Sequence, residues 1–214
     1  MPDQGDTASD NLGQVYAAGN PAETAAGYDA WADSYDAQMM QAGYRHPAVG
    51  LGLMARHQPP GTGPVLDAGA GTGLTGELLA LLGYGPLVGL DISRGMLDRA
   101  AAKGVYARLV EARLGTRLPF DNGEFAAVIS TGVFTTGHVG FDAMEELLRI
   151  TRPGGRIVLT VKDTVWSEGF AEGCAALCRE GRLRALEQTA PYVSMPGVPG
   201  TSPGRGCVWE RLQG

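Results

Sequence analysis

One stretch limits the folds open to this chain more than any other: Val65-Leu66-Asp67-Ala68-Gly69-Ala70-Gly71-Thr72-Gly73. A short apolar run ends on an acid and enters a turn in which every second residue is glycine. Glycine reaches positive φ without strain and lets backbone approach a ligand where a Cβ would collide. Leu74 to Leu82 then reads as a helix, so helix N–H groups would face whatever the turn holds. Strand, glycine turn and helix in that order point to a parallel sheet covered by helices on both faces, and the rest of the chain continues the alternation.

Pro64 to Ala68 reads as the first strand, Pro86 to Asp91 as the second, Tyr106 to Glu111 as the third and Phe125 to Thr131 as the fourth. Ser93 is placed to cap a helix that ends before Gly104. Asp142 followed by Glu145 looks like a capping box for a helix carrying Met144, Leu147, Leu148 and Ile150. Pro153-Gly154-Gly155 is expected to stop that helix before a fifth strand, Arg156 to Lys162. Glu168 to Arg182 looks helical. Two β-leaning pieces follow, Leu183 to Ser194 and Gly206 to Leu212, around a Pro/Gly-rich loop from Pro196 to Gly204. A loop that short joins antiparallel strands, since a parallel pair needs a crossover. The expectation is an α/β, Rossmann-like, mostly parallel sheet with helices on both faces and a C-terminal antiparallel hairpin.

Upstream, Ala22 to Gly43 and Pro47 to His57 read as helices, while residues 1–21 read as a loose polar leader. Tyr28, Trp31 and Tyr35 recur at i, i+3 and i+7 and share one helix face. That stripe is either packing against the sheet or an aromatic lid over a ligand, and both can hold together. Residues 22–214 are expected to form one domain, with 22–57 as its helical lid.

Charge and composition exclude several classes. The 214 residues carry 17 Lys and Arg against 23 Asp and Glu, a net charge of −6, with no basic cluster to neutralise phosphates, so nucleic acid is not expected as a partner. No apolar run has the length of a membrane span, and the N-terminus lacks the basic-then-apolar order of a secretory signal. Three cysteines, Cys174, Cys178 and Cys207, make no disulfide framework and suit a reducing cytoplasm. Cys174 and Cys178 stand one helical turn apart, which suits a buried apolar face better than a metal. No other metal constellation is visible.

Gly71-Thr72-Gly73-Leu74-Thr75-Gly76 matches G-x-G-x-x-G literally, which raises a dinucleotide as the ligand. Asp67 argues against it, because its charge stands where a pyrophosphate would approach. A carboxylate there suits a ligand presenting an ammonium or sulfonium. Asp91, closing the second strand, has the position of an acid that accepts both ribose hydroxyls of a nucleoside, and it can also be a helix cap. Ile92 and Met96 follow as apolar surfaces for a base.

Asp67-Ala-Gly69-Ala-Gly71-Thr-Gly73, Gly89-Leu-Asp91-Ile-Ser93, Leu118-Pro-Phe120-Asp-Asn-Gly123-Glu-Phe125 and Arg149-Ile-Thr-Arg-Pro153-Gly154-Gly155 occur in this order. Together they resemble motifs I, II, IV and V of the class I S-adenosylmethionine (SAM)-dependent methyltransferases. Tyr28-Asp-Ala-Trp31-Ala-Asp-Ser-Tyr35-Asp36, Tyr44-Arg45-His46-Pro47 and Val133-Phe134-Thr-Thr-Gly137-His138 are similar to the Williams–Beuren-region methyltransferase-like proteins and related small bacterial enzymes. The resemblance implies a seven-stranded sheet with SAM across the ends of strands one and two. It implies a cofactor site made by Tyr28, Tyr35, Arg45, Asp67, Ala68, Gly69, Gly71, Gly73, Asp91, Ile92, Met96, Ala112, Arg113 and Thr131. Tyr35 and Arg45 would approach the methionine end, where a guanidinium can pair with a carboxylate.

One position departs from the family pattern. Many relatives hold the adenine amino group with an acid, and the matching stretch here is Glu111-Ala112-Arg113, where arginine has no acceptor to offer. Backbone groups around Ala112, or Glu111 in a register shifted by two, are the alternatives. For the chemistry, His138 is the candidate base, with a hydrogen-bonding scaffold role as its competitor, and Thr131, Thr135 and Thr136 are candidate walls of the acceptor pocket. Ser130-Thr131-Gly132-Val133 after the fourth strand, in place of an Asn-Pro-Pro-Tyr-like segment, favours a small-molecule acceptor methylated at O, N or S. A protein or peptide substrate and a non-catalytic SAM-binding module are the other readings, and a dehydrogenase fits least. The sequence is silent on oligomeric state.

Overall fold

The computed structural model describes residues 7–136 and 138–213. Its centre is one sheet of seven strands, β1 (Val65–Ala68), β2 (Leu87–Asp91), β3 (Arg108–Glu111), β4 (Phe125–Phe134), β5 (Thr151–Lys162), β6 (Leu183–Gln188) and β7 (Gly204–Arg211). The order across the sheet is β3-β2-β1-β4-β5-β7-β6. The first five run parallel, and β7 lies antiparallel to both β5 and β6. The expected mostly parallel sheet with a terminal antiparallel pair is therefore the fold. Chain order reverses between β1 and β4, and a sheet of this kind opens a ligand crevice at that switch point.

Alternation along the strands builds two cores, because successive side chains of a strand point to opposite faces. Leu66, Leu90, Val128, Ile157 and Leu159 meet α7 (Met144–Ile150) and α9 (Ala171–Arg179) on one face. Val65, Leu87, Ile129 and Val158 meet Leu53 and Met54 of α4 (His46–His57) and Leu79 of α5 (Leu74–Leu81) on the other. A third cluster lies over the carboxyl edge of the sheet. It joins Val15 of α1 (Ala8–Tyr16), Trp31 of α2 (Pro21–Trp31) and Met39 of α3 (Tyr35–Gln41) to Met195. Helix α6 (Arg94–Ala102) completes the βα unit after β2, and its cap is the expected one, with Ser93 Oγ accepting from Met96 N at 3.0 Å.

Several local expectations are corrected. The residues read as a loose leader include α1, opened by a capping box between Thr7 and Asp10 and closed on a buried Val15. The single helix expected over residues 22–43 is two, divided at 32–34. Asp142 is no cap: its Oδ1 accepts from Gly140 N at 3.2 Å, while Glu145 pairs with Arg182. Pro153-Gly154-Gly155 does not precede β5 but lies within it as a bulge, since Phe125 pairs with Thr151 and Ala127 with Arg156. A Cβ on Gly155 would meet the carbonyls of Ala126 and Arg152 at 2.8 Å, so the backbone passes there only as glycine. Between β5 and α9 runs a short turn, α8 (Asp163–Val165), and then a kink at Glu168 and Gly169, where an unbroken helix was expected.

Candidate functional site

The glycine turn is fixed to the neighbouring strand by its own amides. Gly69 N and Ala70 N both donate to the carbonyl of Leu90, at 2.7 and 2.8 Å. Gly69, Gly71 and Gly73 have φ of +82°, +54° and +88°, which side chains rarely adopt, and a Cβ on Gly69 would run into Val133. Here glycine is required by conformation and by space together.

The turn places Gly71 N against Asp91, whose Oδ2 accepts it at 2.8 Å, while Oδ1 accepts from Ser93 N at 2.9 Å. Both carboxylate oxygens are thus oriented by backbone, and each keeps further acceptor capacity. Burial raises the Asp91 carboxyl above its ordinary range, and the amides of Ser93, Gly71 and Ile92 pull it back down. Asp67 is deeper, with no exposed surface. Its Oδ2 accepts from the Tyr106 hydroxyl at 2.6 Å, and its Oδ1 is buried with no hydrogen-bond partner among the described residues. Burial pushes the Asp67 carboxyl up to about 7 against the pull of Tyr106, and the nearby Asp91 adds to the rise.

A cavity of about 310 Å³ opens between this edge and the N-terminal helices. The turn contributes Gly69 and Gly71 to its wall, the β2–α6 junction contributes Asp91, Ile92 and Met96, and the segment after β3 contributes Ala112 and Arg113. Thr131 and His138 close one end, and Tyr28 and Tyr35 form part of the roof. Four predicted residues lie outside the wall. Ala68 and Asp67 sit beneath it in β1, and Gly73 begins α5. Arg45 is turned away, with its guanidinium 3.4 Å from the Val193 carbonyl, and its neighbour Tyr44 stands in the wall instead.

Of the residues considered for adenine, Glu111 is exposed on β3 and outside the cavity, whereas Ala112 and Arg113 line it. The Ala112 N–H is used on the Asp91 carbonyl at 3.0 Å.

The aromatic stripe packs the N-terminal helices, and two of its members also line the cavity. Trp31 is 2% exposed, stacks parallel to Tyr28 with centroids 6.2 Å apart, and donates from Nε1 to Gln38 at 2.8 Å. Tyr28 and Tyr35, on either side of that anchor, face the cavity, and burial raises both phenols above their ordinary range. The acids next to them in sequence, Asp29 and Asp36, were given no role from the sequence, yet they hold the roof in place. Asp29 Oδ1 accepts from Ser93 Oγ at 2.5 Å and from Gly95 N at 2.8 Å, capping α6 from another helix. Asp36 binds Thr72 of the glycine turn and Lys103, the latter at 3.0 Å. The spacing of 29, 33 and 36 beside 28, 31 and 35 was the available signal. Also missed was the α1–α2 connection, Ala18 to Pro21, which supplies wall on the far side.

His138 has both ring nitrogens in contact, Nδ1 with Thr135 Oγ1 at 3.1 Å and Nε2 with the Val15 carbonyl at 3.4 Å. A carbonyl only accepts, so Nε2 carries the hydrogen and Nδ1 accepts from the threonine. Burial holds this imidazole below its ordinary range, the Val15 carbonyl opposes that, and the charge of Lys162 adds to it.

The comparisons agree with this geometry. Residues 65–155 match the methyltransferase domain family. Methyltransferase-like protein 27 of Homo sapiens is 34% identical over 175 residues, which cover 80% of this chain and 69% of that protein. A demethylmenaquinone methyltransferase of a Mycobacterium species is 35% identical over 82% of this chain and 73% of its own length. The chain is a class I SAM-dependent methyltransferase. The crystal structure of a TehB-like SAM-dependent methyltransferase from Corynebacterium glutamicum shares the fold, with a TM-score of 0.63 at 23% identity over 90% of this chain and all of the other.

The residues of this methyltransferase fit the cofactor the family implies. Asp91 keeps acceptor capacity on two oriented oxygens for two vicinal hydroxyls, and Asp67 Oδ1 is a buried acceptor without a donor, suited to an ammonium. The glycine turn leaves open backbone between them. When bound, SAM supplies a methyl group on a positively charged sulfur that leaves as a neutral thioether.

Proposed function

We propose that this methyltransferase acts on an O, N or S nucleophile of a small molecule admitted beside His138. The observation that carries the reading is the roofed cavity: α2 and α3 cover the carboxyl edge of the sheet, pinned by Asp29 and Asp36, and leave about 310 Å³ within. A roofed space of that size suits a compact acceptor held beside the cofactor, where alignment and partial exclusion of water favour transfer. The protein's part is then mainly alignment. Where the acceptor must lose a proton, His138 Nδ1 is the receiving atom, reached through the Thr135 hydroxyl that already donates to it. Held neutral by burial, that imidazole is ready to take a proton near neutral pH. A reducing compartment such as the cytoplasm suits the three free thiols, of which Cys174 and Cys207 are buried and pushed up to about 12 by that burial.

The test is calorimetric titration with SAM and with its demethylated product, S-adenosylhomocysteine, followed by a labelled-methyl assay against a panel of small acceptors. Asp91→Ala should weaken both ligands by about one to two orders of magnitude, the loss of charge-assisted bonds to hydroxyls. His138→Ala should leave the affinity for S-adenosylhomocysteine unchanged and slow transfer to hydroxyl acceptors about 10²-fold or more. Turnover on a protein substrate but on no small acceptor would overturn the small-molecule reading.

A further inference from the structure

Lys162 ends β5 at the carboxyl edge of the sheet and is only 7% exposed. An ammonium withdrawn from water ordinarily has an anion beside it, because its desolvation is otherwise uncompensated. Lys162 has none. No carboxylate of the described residues comes within ion-pair distance of it, and its neighbour in sequence, Asp163, is engaged by Arg205 Nε at 2.7 Å. The two imidazoles that face Lys162 bring no negative charge. His46 is lowered to about 3, first by burial and then by Lys162 itself, and His138 is lowered as well.

What meets the ammonium is a phenol. Lys162 Nζ donates to the Tyr16 hydroxyl at 3.2 Å and lies 4.5 Å from the centre of the Tyr16 ring. The same ring touches His138 edge-on, with centroids 5.1 Å apart, and His138 belongs to the cavity wall. Tyr16 therefore links a cation without an ion-pair partner to His138 of the cavity wall, while neither Tyr16 nor Lys162 lines the cavity itself. Tyr16 is the last residue of α1, a nine-residue helix that buries only Ala8 and Val15. Polar contacts with the body include Asn11 Nδ2 donating to Gln38 Oε1 at 3.0 Å and the long contact from the Val15 carbonyl to His138. Helix α1 supplies no residue of the cavity wall itself but lies over His138 and Lys162, and an element held this lightly can give way to a ligand there.

We infer that Lys162 receives an anionic oxygen of the acceptor, a carboxylate or phenolate, in the place now taken by the Tyr16 hydroxyl. The inference rests on the reading that the acceptor is a small molecule, and it narrows that class to organic acids. A carboxylate on Lys162 adds an opposite charge to the bond, which a neutral phenol cannot. It also anchors the acceptor beside His138, next to the nucleotide-binding turn.

The experiment uses the full chain saturated with S-adenosylhomocysteine and titrates it with benzoate and with benzamide, which have the same shape and differ in charge. Ligand-observed NMR reads both affinities. Benzoate should bind about tenfold tighter than benzamide. Lys162→Met should bring benzoate down to the level of benzamide while affinity for S-adenosylhomocysteine stays unchanged. Tyr16→Phe, which removes the competing hydroxyl and keeps the ring, should tighten benzoate about threefold. Equal affinities in the unsubstituted protein, or a benzoate preference that survives Lys162→Met, overturn the assignment. If the methionine variant does not fold, Tyr16→Phe decides, since unchanged or weaker benzoate binding there overturns it too. A chain that binds S-adenosylhomocysteine but not benzoate loses this proposal alone. One that binds neither loses the cofactor reading with it.

Discussion

Asp67 and Asp91 close adjacent parallel strands, yet their surroundings separate them. Asp91 is oriented by two backbone amides and faces the cavity, whereas Asp67 spends one oxygen on Tyr106 and leaves the other without a donor. The ligand-free protein therefore carries a carboxyl pushed from 3.8 up to about 7, mainly by burial. In that interval the folded chain binds the proton and the unfolded chain has lost it. The stabilisation from this group is full below about pH 4 and is lost as pH rises through about 7. Thermal unfolding of the ligand-free protein and of Asp67→Asn should show it. The melting temperature of the unsubstituted protein minus that of the variant should fall from about pH 4 to about pH 7 and level off above. A flat or rising difference would mean that Asp67 is already ionised in the folded state.

At the scale of elements, the roof is only as well placed as its anchors. Asp29 reaches out of α2 to the start of α6, and its removal leaves Gly95 N and Ser93 Oγ without that acceptor. Asp29→Ala should cost about 1–3 kcal/mol in urea unfolding and weaken cofactor binding, because Tyr28, one residue away on the same helix, loses its fixed position over the cavity. Stability lost with cofactor affinity intact would mean that the roof is placed by the Trp31 cluster alone. What the sequence made legible follows the same division. The β1 run, the glycine turn, Asp91 and the Ser93 cap are local features, each carried by a few adjacent residues, and the structure has them all. Helix α1 was not legible from hydrophobic pattern, because its short polar run Ser9-Asp10-Asn11 interrupts the few apolar residues, Ala8, Leu12 and Val15, that dock it, with Val15 Cγ2 3.1 Å from where a Gly27 Cβ would stand. Its Thr7–Asp10 capping box was the one local trace. Arg45 and Tyr44 show the limit of a motif read without coordinates. The matched block was right, but the start of α4 turns the tyrosine inward and the arginine toward Val193. The Pro153-Gly154-Gly155 bulge was misread because the same residues that stop a helix also permit a strand to loop out between two registers.

The whole molecule is a sheet with two buried faces and a lighter helical cap, and the cavity that fits the cofactor lies where they meet. Ligand held at that junction stabilises whatever must stay closed around it. At a hundred times the dissociation constant it adds about 2.7 kcal/mol to global stability, so amides that exchange only through global unfolding should slow about a hundredfold. Strand β4 is such an element, since it is buried along most of its length between β1 and β5. Helix α1 should behave differently if it is a movable cover over Lys162. Its amides exchange through an opening that leaves the glycine turn, Asp91 and the Asp29 anchor untouched, so saturating S-adenosylhomocysteine should slow residues 8–16 far less than β4. Hydrogen exchange read by mass spectrometry resolves the two segments. A clear gap between them means that α1 opens while the cofactor stays bound, which is the order an acceptor entering second requires. Equal slowing means that α1 and the cofactor leave together, and the acceptor must then enter by another wall.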